Sequence, residues 1–154
     1  MHPASHSTQS SRSLAFNATL HCLTGCGIGE ILGLVIATAL GWSALPSILL
    51  AIVLAFIFGY SLTLRPLLAG DMSFGQAARM AIAADTLSII VMEIVDNAII
   101  LVIPGAMSAG LTDLLFWGSL AFSLLIAFCV TFPLNLWLIR RGRGHALVHG
   151  GSHH

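Results

Sequence analysis

Four long apolar segments, separated by short polar or proline-containing connections, dominate the chain. They cover about residues 17–42, 45–64, 74–103 and 114–139. Each is long enough to cross a membrane as a helix, which takes about 20 apolar residues. The apolar runs are continuous rather than alternating, so a membrane β-barrel is not expected. The pattern predicts an all-α membrane protein built as a four-helix transmembrane bundle.

Prolines mark where these predicted helices start and stop. Pro46 and Pro66 bound the second segment, and Pro104 stops the third. Pro133 lies inside the fourth segment, where it predicts a kink close to one end of the helix. The helices are therefore expected to be joined by short connections.

The apolar segments divide the chain into three parts. Residues 1–16 predict a flexible cytosolic tail, residues 17–141 a transmembrane domain, and residues 142–154 a second flexible cytosolic tail that is rich in His. The two tails carry six of the seven histidines: His2, His6, His145, His149, His153 and His154. These tails could capture a metal ion, although His-rich ends are often incidental.

The composition agrees with a membrane protein, because 57% of the residues are apolar and 8% are charged. A soluble domain carries roughly 25% charged residues. Six basic residues, all arginine, balance six acids, so the chain lacks the basic surface that nucleic-acid binding requires. Its sequence contains no nucleophile elbow, Walker loop or HExxH helix, and a hydrolase is not expected.

The arginines predict the orientation of the bundle. With four spans, the two tails and the second connection share one side of the membrane. All six arginines lie on that side, which the positive-inside rule makes cytoplasmic: Arg12, Arg65, Arg79, Arg140, Arg141 and Arg143. Both termini are therefore expected in the cytoplasm.

A weak internal repeat relates the two halves of the chain. The sequence from Glu30 to Gly33 resembles that from Glu93 to Asp96, at an offset of 63 residues, and the Thr/Pro patterns of the second and fourth segments match at an offset of 67. A true repeat would form two parallel helical hairpins related by an axis along the membrane normal. Coincidence among apolar helices explains the match equally well.

Small residues recur every four positions along the first segment. Gly25, Gly29 and Gly33 form the first part of a small-xxx-small stripe. This pattern lets a second helix come close. We expect this stripe to pack against another helix. Because so many close-packing glycines leave little room for a path within one bundle, we also expect a homo-oligomer, dimeric or larger.

A second stripe on the same segment carries chemically reactive groups. Cys22, Cys26 and Glu30 are also four residues apart, with His21 beside them. At about 100° per residue, these four side chains lie on the half of the helix that carries the glycines. They are therefore expected to face protein rather than lipid.

The third segment adds three acids. An acid inside the membrane costs about 2.5 to 3.5 kcal/mol, so it is normally paired, protonated or part of a water-filled path. Asp85 could pair with Arg79, and Asp96 could reach the outer headgroups. The alternative is that the acids are hydrogen-bonded links between helices. We expect an ion or proton pathway along one side of this helix, formed by Asp85, Ser88, Asp96 and Asn97.

Depth along the two helices places their ligand-type side chains near each other at mid-membrane. Cys and Met suit Cu(I) or Zn(II), and carboxylates favour harder ions. We expect a shared metal site formed by His21, Cys22, Cys26, Glu30, Met92 and Glu93. Two carboxylates in a low-dielectric setting cannot both stay ionised without a cation, so metal movement could be coupled to protons.

Several motifs resemble a known family. They are 18–26 (ATLHCLTGC) followed by Gly29-Glu30, then 84–88 (ADTLS), 92–97 (MEIVDN) and Phe116-Trp117. Together they resemble the DUF4396 family, a bacterial family of integral membrane proteins described as a domain of unknown function. The resemblance covers about residues 17–141 and implies a multi-pass protein of the bacterial inner membrane. It implies no activity.

Three functions remain open from the sequence. The first is binding and translocation of a cation, most favourably a transition metal of the copper or zinc class. The second is a membrane redox protein that uses the thiols or a haem. Haem is disfavoured because His21 is the single histidine of the predicted spans. The third is an assembly subunit whose glycine stripe binds another membrane protein.

Overall fold

The computed structural model describes residues 10–141. The regular secondary structure of these residues is all helical, with four long helices: α1 (Ser11–Ala39), α2 (Ala44–Ala69), α3 (Phe74–Val102) and α4 (Leu114–Arg140). A single 3₁₀ turn, Ala106–Ser108, lies between α3 and α4. The predicted all-α four-helix architecture is confirmed.

Three of these helices, α1, α2 and α4, are long and apolar enough to cross a membrane. Helix α3 has the same 29-residue length as α1, but it carries the three acids of the third segment and is not among these apolar candidates. We treat the chain as a multi-pass membrane protein and α3 as the fourth helix of its bundle.

Two predicted boundaries are wrong. Helix α1 begins at Ser11, within the predicted tail, because Ser10 caps it by accepting a hydrogen bond from the Ser13 amide at 3.2 Å. Helix α2 continues to Ala69, and Pro66 lies inside its last turns. A proline removes one backbone donor, and here the helix continues for three more residues before Gly70 ends it. The two predicted flexible tails otherwise fall on residues 1–9 and 142–154, which lie outside the described residues.

The glycine stripe packs against α2. Gly25 faces Gly59, and Gly29 faces Ala55, so closely that a Cβ on Gly29 would lie 2.4 Å from the Ala55 amide nitrogen. Gly33 approaches Ala51 in the same way. The predicted close packing is confirmed, but its partner is the neighbouring helix of the same chain. The homo-oligomer stays a prediction, and the glycines no longer support it.

The helices form an up-down-up-down bundle with a diagonal contact. Helix α1 packs most extensively on α2, and α3 packs most extensively on α4. Helices α1 and α4 also touch, as do α2 and α3, and α1 meets α3 across the centre. This arrangement brings the two helices that carry the predicted site into contact.

The internal repeat has a structural counterpart. Helices α1 and α3 begin at residues 11 and 74, which is the same 63-residue offset that separates Glu30 from Glu93. Buried positions also correspond: Gly29 matches Met92, and Gly33 matches Asp96. The two glutamates therefore occupy equivalent positions on helices that meet across the bundle.

Candidate functional site

Three carboxyl groups from α1 and α3 lie together inside the bundle. Asp96 is 0% exposed and Glu93 4%, while Glu30 is partly buried. The carboxyl group of Glu30 is close enough to interact electrostatically with both of the others, most strongly with Asp96. We refer to Glu30, Glu93 and Asp96 as the acid trio.

The acid trio is short of hydrogen-bond partners. Among the described residues, none is within hydrogen-bonding geometry of Glu30 Oε2, Glu93 Oε1 or either carboxylate oxygen of Asp96. Asn97 supplies one link, since its side-chain amide donates to the Glu93 backbone oxygen at 2.8 Å and to Glu93 Oε2 at 3.4 Å. Four of the six carboxyl oxygens of the acid trio therefore lack a hydrogen-bond partner among the described residues.

The arginines are too far away to neutralise the trio. Arg12 precedes Glu30 by 18 residues on α1, which is about 27 Å along a helix. Arg65 and Arg79 lie near the α2–α3 connection, and Arg140 ends α4. In a low-dielectric interior three adjacent carboxylates cannot all be ionised without a cation, so the trio must hold protons or a positive ion.

A pair of thiols lies next to the acid trio. Cys22 and Cys26 are free and buried one helical turn apart on α1. The Cys26 thiol lies within hydrogen-bonding reach of both Cys22 and Glu93. Met92 is buried in the same apolar cluster as the two cysteines. Five of the six predicted metal ligands are therefore neighbours in the bundle.

The sixth predicted ligand, His21, is separate from this group. Its side chain is exposed on α1, on the surface turned away from the bundle. The expectation that it faces protein is wrong, because one residue along a helix rotates a side chain by about 100°. Cys22 takes the inward position and leaves His21 outside.

The acids and the thiols adjoin each other without forming a finished metal site. Within residues 10–141 no three side chains of His, Cys, Asp or Glu are arranged to hold a metal ion. The two groups are connected by the approach of Cys26 to Glu93. A bound ion would therefore have to draw these side chains closer together.

The predicted pathway residues divide into two environments. Asp96 and Asn97 belong to the acid trio and its surroundings, so the expectation that Asp96 reaches the headgroups is wrong. Asp85 lies closer to the end of α3 that carries Arg79, and it approaches the Thr63 side chain of α2. Arg79 itself is exposed. The proposed Asp85–Arg79 pair is therefore replaced by a contact with a hydroxyl group.

Ser88 takes part in a buried network that links three helices. Its hydroxyl donates to Oδ1 of Asn135 on α4, and the Asn135 amide donates to Thr19 Oγ1 on α1 at 2.9 Å. Thr19 in turn donates to the Ala15 backbone oxygen at 2.7 Å. These bonds account for Ser88 as a link between helices. Sequence reasoning missed this network, although a lone Asn within the apolar α4 was a signal for it.

A cavity of about 390 Å³ opens at the opposite end of the bundle from the arginines. It lies between the α1–α2 connection and the 3₁₀ turn, and its walls include Trp42, Thr38 and Phe116. Glu30 and Asn97 lie at its deep end. We refer to this cavity as the vestibule. It connects the acid trio to the outside of the bundle, and sequence reasoning did not foresee it because distant connections build it.

Comparison with known proteins finds one family. A family model described as a domain of unknown function, DUF4396, matches residues 13–144. The motifs that suggested this resemblance all lie inside the matched range. No curated protein and no solved structure matches the chain.

Proposed function

The chain belongs to the DUF4396 family, and from its own residues we propose that it binds a cation inside the membrane and carries it across. The cargo that its side chains favour is a transition-metal ion of the copper or zinc class. The observation that carries this proposal is the acid trio inside the bundle, in which four of the six carboxyl oxygens lack hydrogen-bond partners among the described residues.

Charge compensation is the first step of the argument. Unpartnered carboxyl oxygens in a protein interior are costly, and a fully hydrogen-bonded link between helices would not leave them so. A positive ion would satisfy several of them at once. A proton shared between Glu30 and Asp96, which lie within hydrogen-bonding reach, would satisfy that pair alone, whereas a cation would serve all three groups.

The neighbouring sulfur atoms favour a transition-metal ion as the cargo. Thiolate and thioether groups are soft ligands that suit Cu(I) and Zn(II) better than Na⁺ or Ca²⁺. Cys26 touches both the second thiol and Glu93, so an ion leaving the carboxylates has sulfur ligands directly beside it. We expect the ion to pass from the acid trio to Cys22, Cys26 and Met92, toward the end of the bundle that carries the arginines.

Proton exchange would accompany this movement. A metal ion that binds carboxylates or thiolates must displace their protons, so binding is expected to tighten as the pH rises. The protons released on binding would return when the ion leaves. This gives a physical basis for coupling metal transport to a proton gradient.

The membrane and the orientation are part of the same proposal. The family resemblance favours the inner membrane of a bacterium, and the positive-inside rule favours a cytoplasmic location for the arginine end. The vestibule would then open to the outside of the cell. A homo-oligomer remains a prediction.

The contact between Cys22 and Cys26 favours a second candidate, a thiol redox protein. Both thiols are buried, however, and a disulfide across one turn of regular helix is strained. Haem loses support because His21 is exposed away from the cluster. An assembly subunit loses its main argument because α2 covers the glycine stripe.

Metal content measured by mass spectrometry tests the proposal. The purified full chain in lipid nanodiscs, loaded with Zn(II) or Cu(I) and washed, should retain the ion. We expect Glu93→Gln, Asp96→Asn and Cys26→Ser to weaken binding at least tenfold. Asp113→Asn, in the outer connection, and Cys129→Ser, on the exposed surface of α4, are the matched controls.

Two outcomes would overturn this proposal. One is a wild-type chain that retains no ion while its helical circular dichroism is intact. The other is equal retention by the controls and by folded site variants. Either result would leave the acids as links between helices, whereas a loss confined to the site variants would support the cation site.

A further inference from the structure

The vestibule is larger than a metal ion needs. Its volume of about 390 Å³ falls within the range of sites that bind small organic molecules, roughly 300 to 1,000 Å³. A single water molecule occupies about 30 Å³ of liquid volume. An ion that only passed through this space would leave most of it to water.

The walls of the vestibule are mainly apolar. Trp42 and Phe116 supply aromatic rings, and aliphatic side chains such as Ile48 and Ile100 line the remainder. Polar groups are few, and one of them, the hydroxyl of Ser119, is buried without a hydrogen-bond partner among the described residues. Apolar walls with a few polar groups are typical of sites that bind organic ligands.

The deep end of the vestibule carries acidic groups. Glu30 lies there, with the unpartnered oxygen Oε2, and the other two acids of the trio stand behind it. No arginine is among the residues that form this cavity in the described part of the chain. A cation that reaches Glu30 would take the place of a proton that the acid trio otherwise holds.

We propose that the vestibule binds an organic ammonium ion, with its charged head at Glu30 and its apolar body against Trp42 and Phe116. Aromatic rings attract ammonium groups through their negative faces, and a carboxylate supplies the counter-charge. The site goes beyond metal binding, because it uses Glu30 but neither of the thiols. An ammonium ion in the vestibule would compete with a metal ion for Glu30.

Equilibrium dialysis with radiolabelled benzyltrimethylammonium tests this proposal on the full chain in nanodiscs, with empty nanodiscs as background. We expect saturable binding that Glu30→Gln weakens at least tenfold, since a charged partner is lost. Trp42→Leu should weaken it about two- to fivefold, in keeping with an exposed cation–π contact. Trp137→Leu, at the other end of the bundle, is the control and should bind as wild type does.

A neutral probe separates charge from apolar binding. Neopentylbenzene has the shape of benzyltrimethylammonium but carries no charge, and it should not compete. Should Glu30→Gln fail to fold, a Ser108→Cys/Cys129→Ser chain provides a second measurement, because Ser108 is exposed and lines the vestibule. Benzyltrimethylammonium should slow the reaction of that cysteine with maleimide severalfold.

Several results would overturn the ammonium site: absence of saturable binding, equal binding by folded Glu30→Gln, equal competition by neopentylbenzene, or no protection of the cysteine at position 108. The Cys26→Ser chain keeps this test distinct from the metal proposal. It should lose the metal ion and still bind benzyltrimethylammonium. Metal binding without ammonium binding would refute the ammonium site alone.

Discussion

On the side of α1 that faces α2, backbone packs directly on backbone, whereas on the side that faces α3, carboxyl oxygens meet without hydrogen-bond partners among the described residues. The first interface fits so closely that even a methyl group has no space at Gly29. The second contains ionisable groups that a well-packed interface would exclude. One helix thus joins a surface suited to stability with one suited to binding. The difference indicates that the packed side holds the polar side in position.

The largest effect should come from filling the packed side. In Gly29→Leu the new side chain would collide with the Ala55 backbone, and folding should fail. The smaller change Gly29→Ala should lower the free energy of unfolding by about 1–3 kcal/mol, as expected for overpacking. Thermal unfolding in detergent measures this change.

Gly27 on the same helix provides the control. A Cβ there would lie 3.5 Å from Leu124 Cδ1, which is an ordinary contact. Gly27→Ala should therefore leave the free energy of unfolding unchanged or raise it by up to about 1 kcal/mol, the helix-propensity gain of alanine over glycine. Equal stability of the two alanine variants would show that the α1–α2 contact is less tight than described.

The polar side should respond in the opposite direction. Asp96→Asn removes a buried carboxyl group whose oxygens lack partners among the described residues, so the metal-free protein should gain about 1 kcal/mol of stability. Metal at a hundred times the wild-type dissociation constant should stabilise the wild type by about 2.7 kcal/mol, and a variant that binds at least tenfold more weakly by about 1.4 kcal/mol or less. Unfolding curves with and without Zn(II) test both expectations. A metal-free Asp96→Asn chain less stable than wild type would mean that Asp96 is structural.

The smallest effect is expected in the network between helices. Asn135→Leu removes the bonds to Ser88 and Thr19, which should cost about 0.6 to 1.7 kcal/mol, as for hydrogen bonds between membrane helices. Its metal binding should stay unchanged. Thr24→Ala is the control, because the Thr24 hydroxyl bonds only within α1 in the described structure. Loss of metal in Asn135→Leu at full stability would extend the site to α4.

Much of the fold follows from local patterns. Hydropathy fixed the number of helices, and the four-residue spacing of Gly25, Gly29 and Gly33 identified the packed side of α1. Helix ends were harder to predict, because Pro66 removes a backbone donor but does not end α2. The partner of the glycines could not be predicted either. Small residues favour any close helix, whether it belongs to the same chain or to another.

Part of the site was also predicted correctly from local spacing along the helices. Residues one turn apart, such as Cys22, Cys26 and Glu30, share a side of any helix, and the structure keeps them together. His21 was assigned inward because half of a helix is a wide range, and the rotation of the helix within the bundle decides which quarter is buried. The vestibule is formed by connections that are far apart in the sequence, and no local sequence pattern predicts that they come together.

The shared register of α1 and α3 also bears on the ancestry of the chain. Two helices of equal length with a glutamate at the same position are what the duplication of a two-helix unit would leave behind. Before the two copies were joined in one chain, two identical hairpins would have paired about a symmetry axis. The glutamate of one hairpin would then have faced the same glutamate of the other. After they were joined, the halves were free to diverge: Gly33 now occupies in one half the position that Asp96 occupies in the other. The present difference between the two halves of the chain would then have arisen after the duplication, in a protein that was symmetric at first.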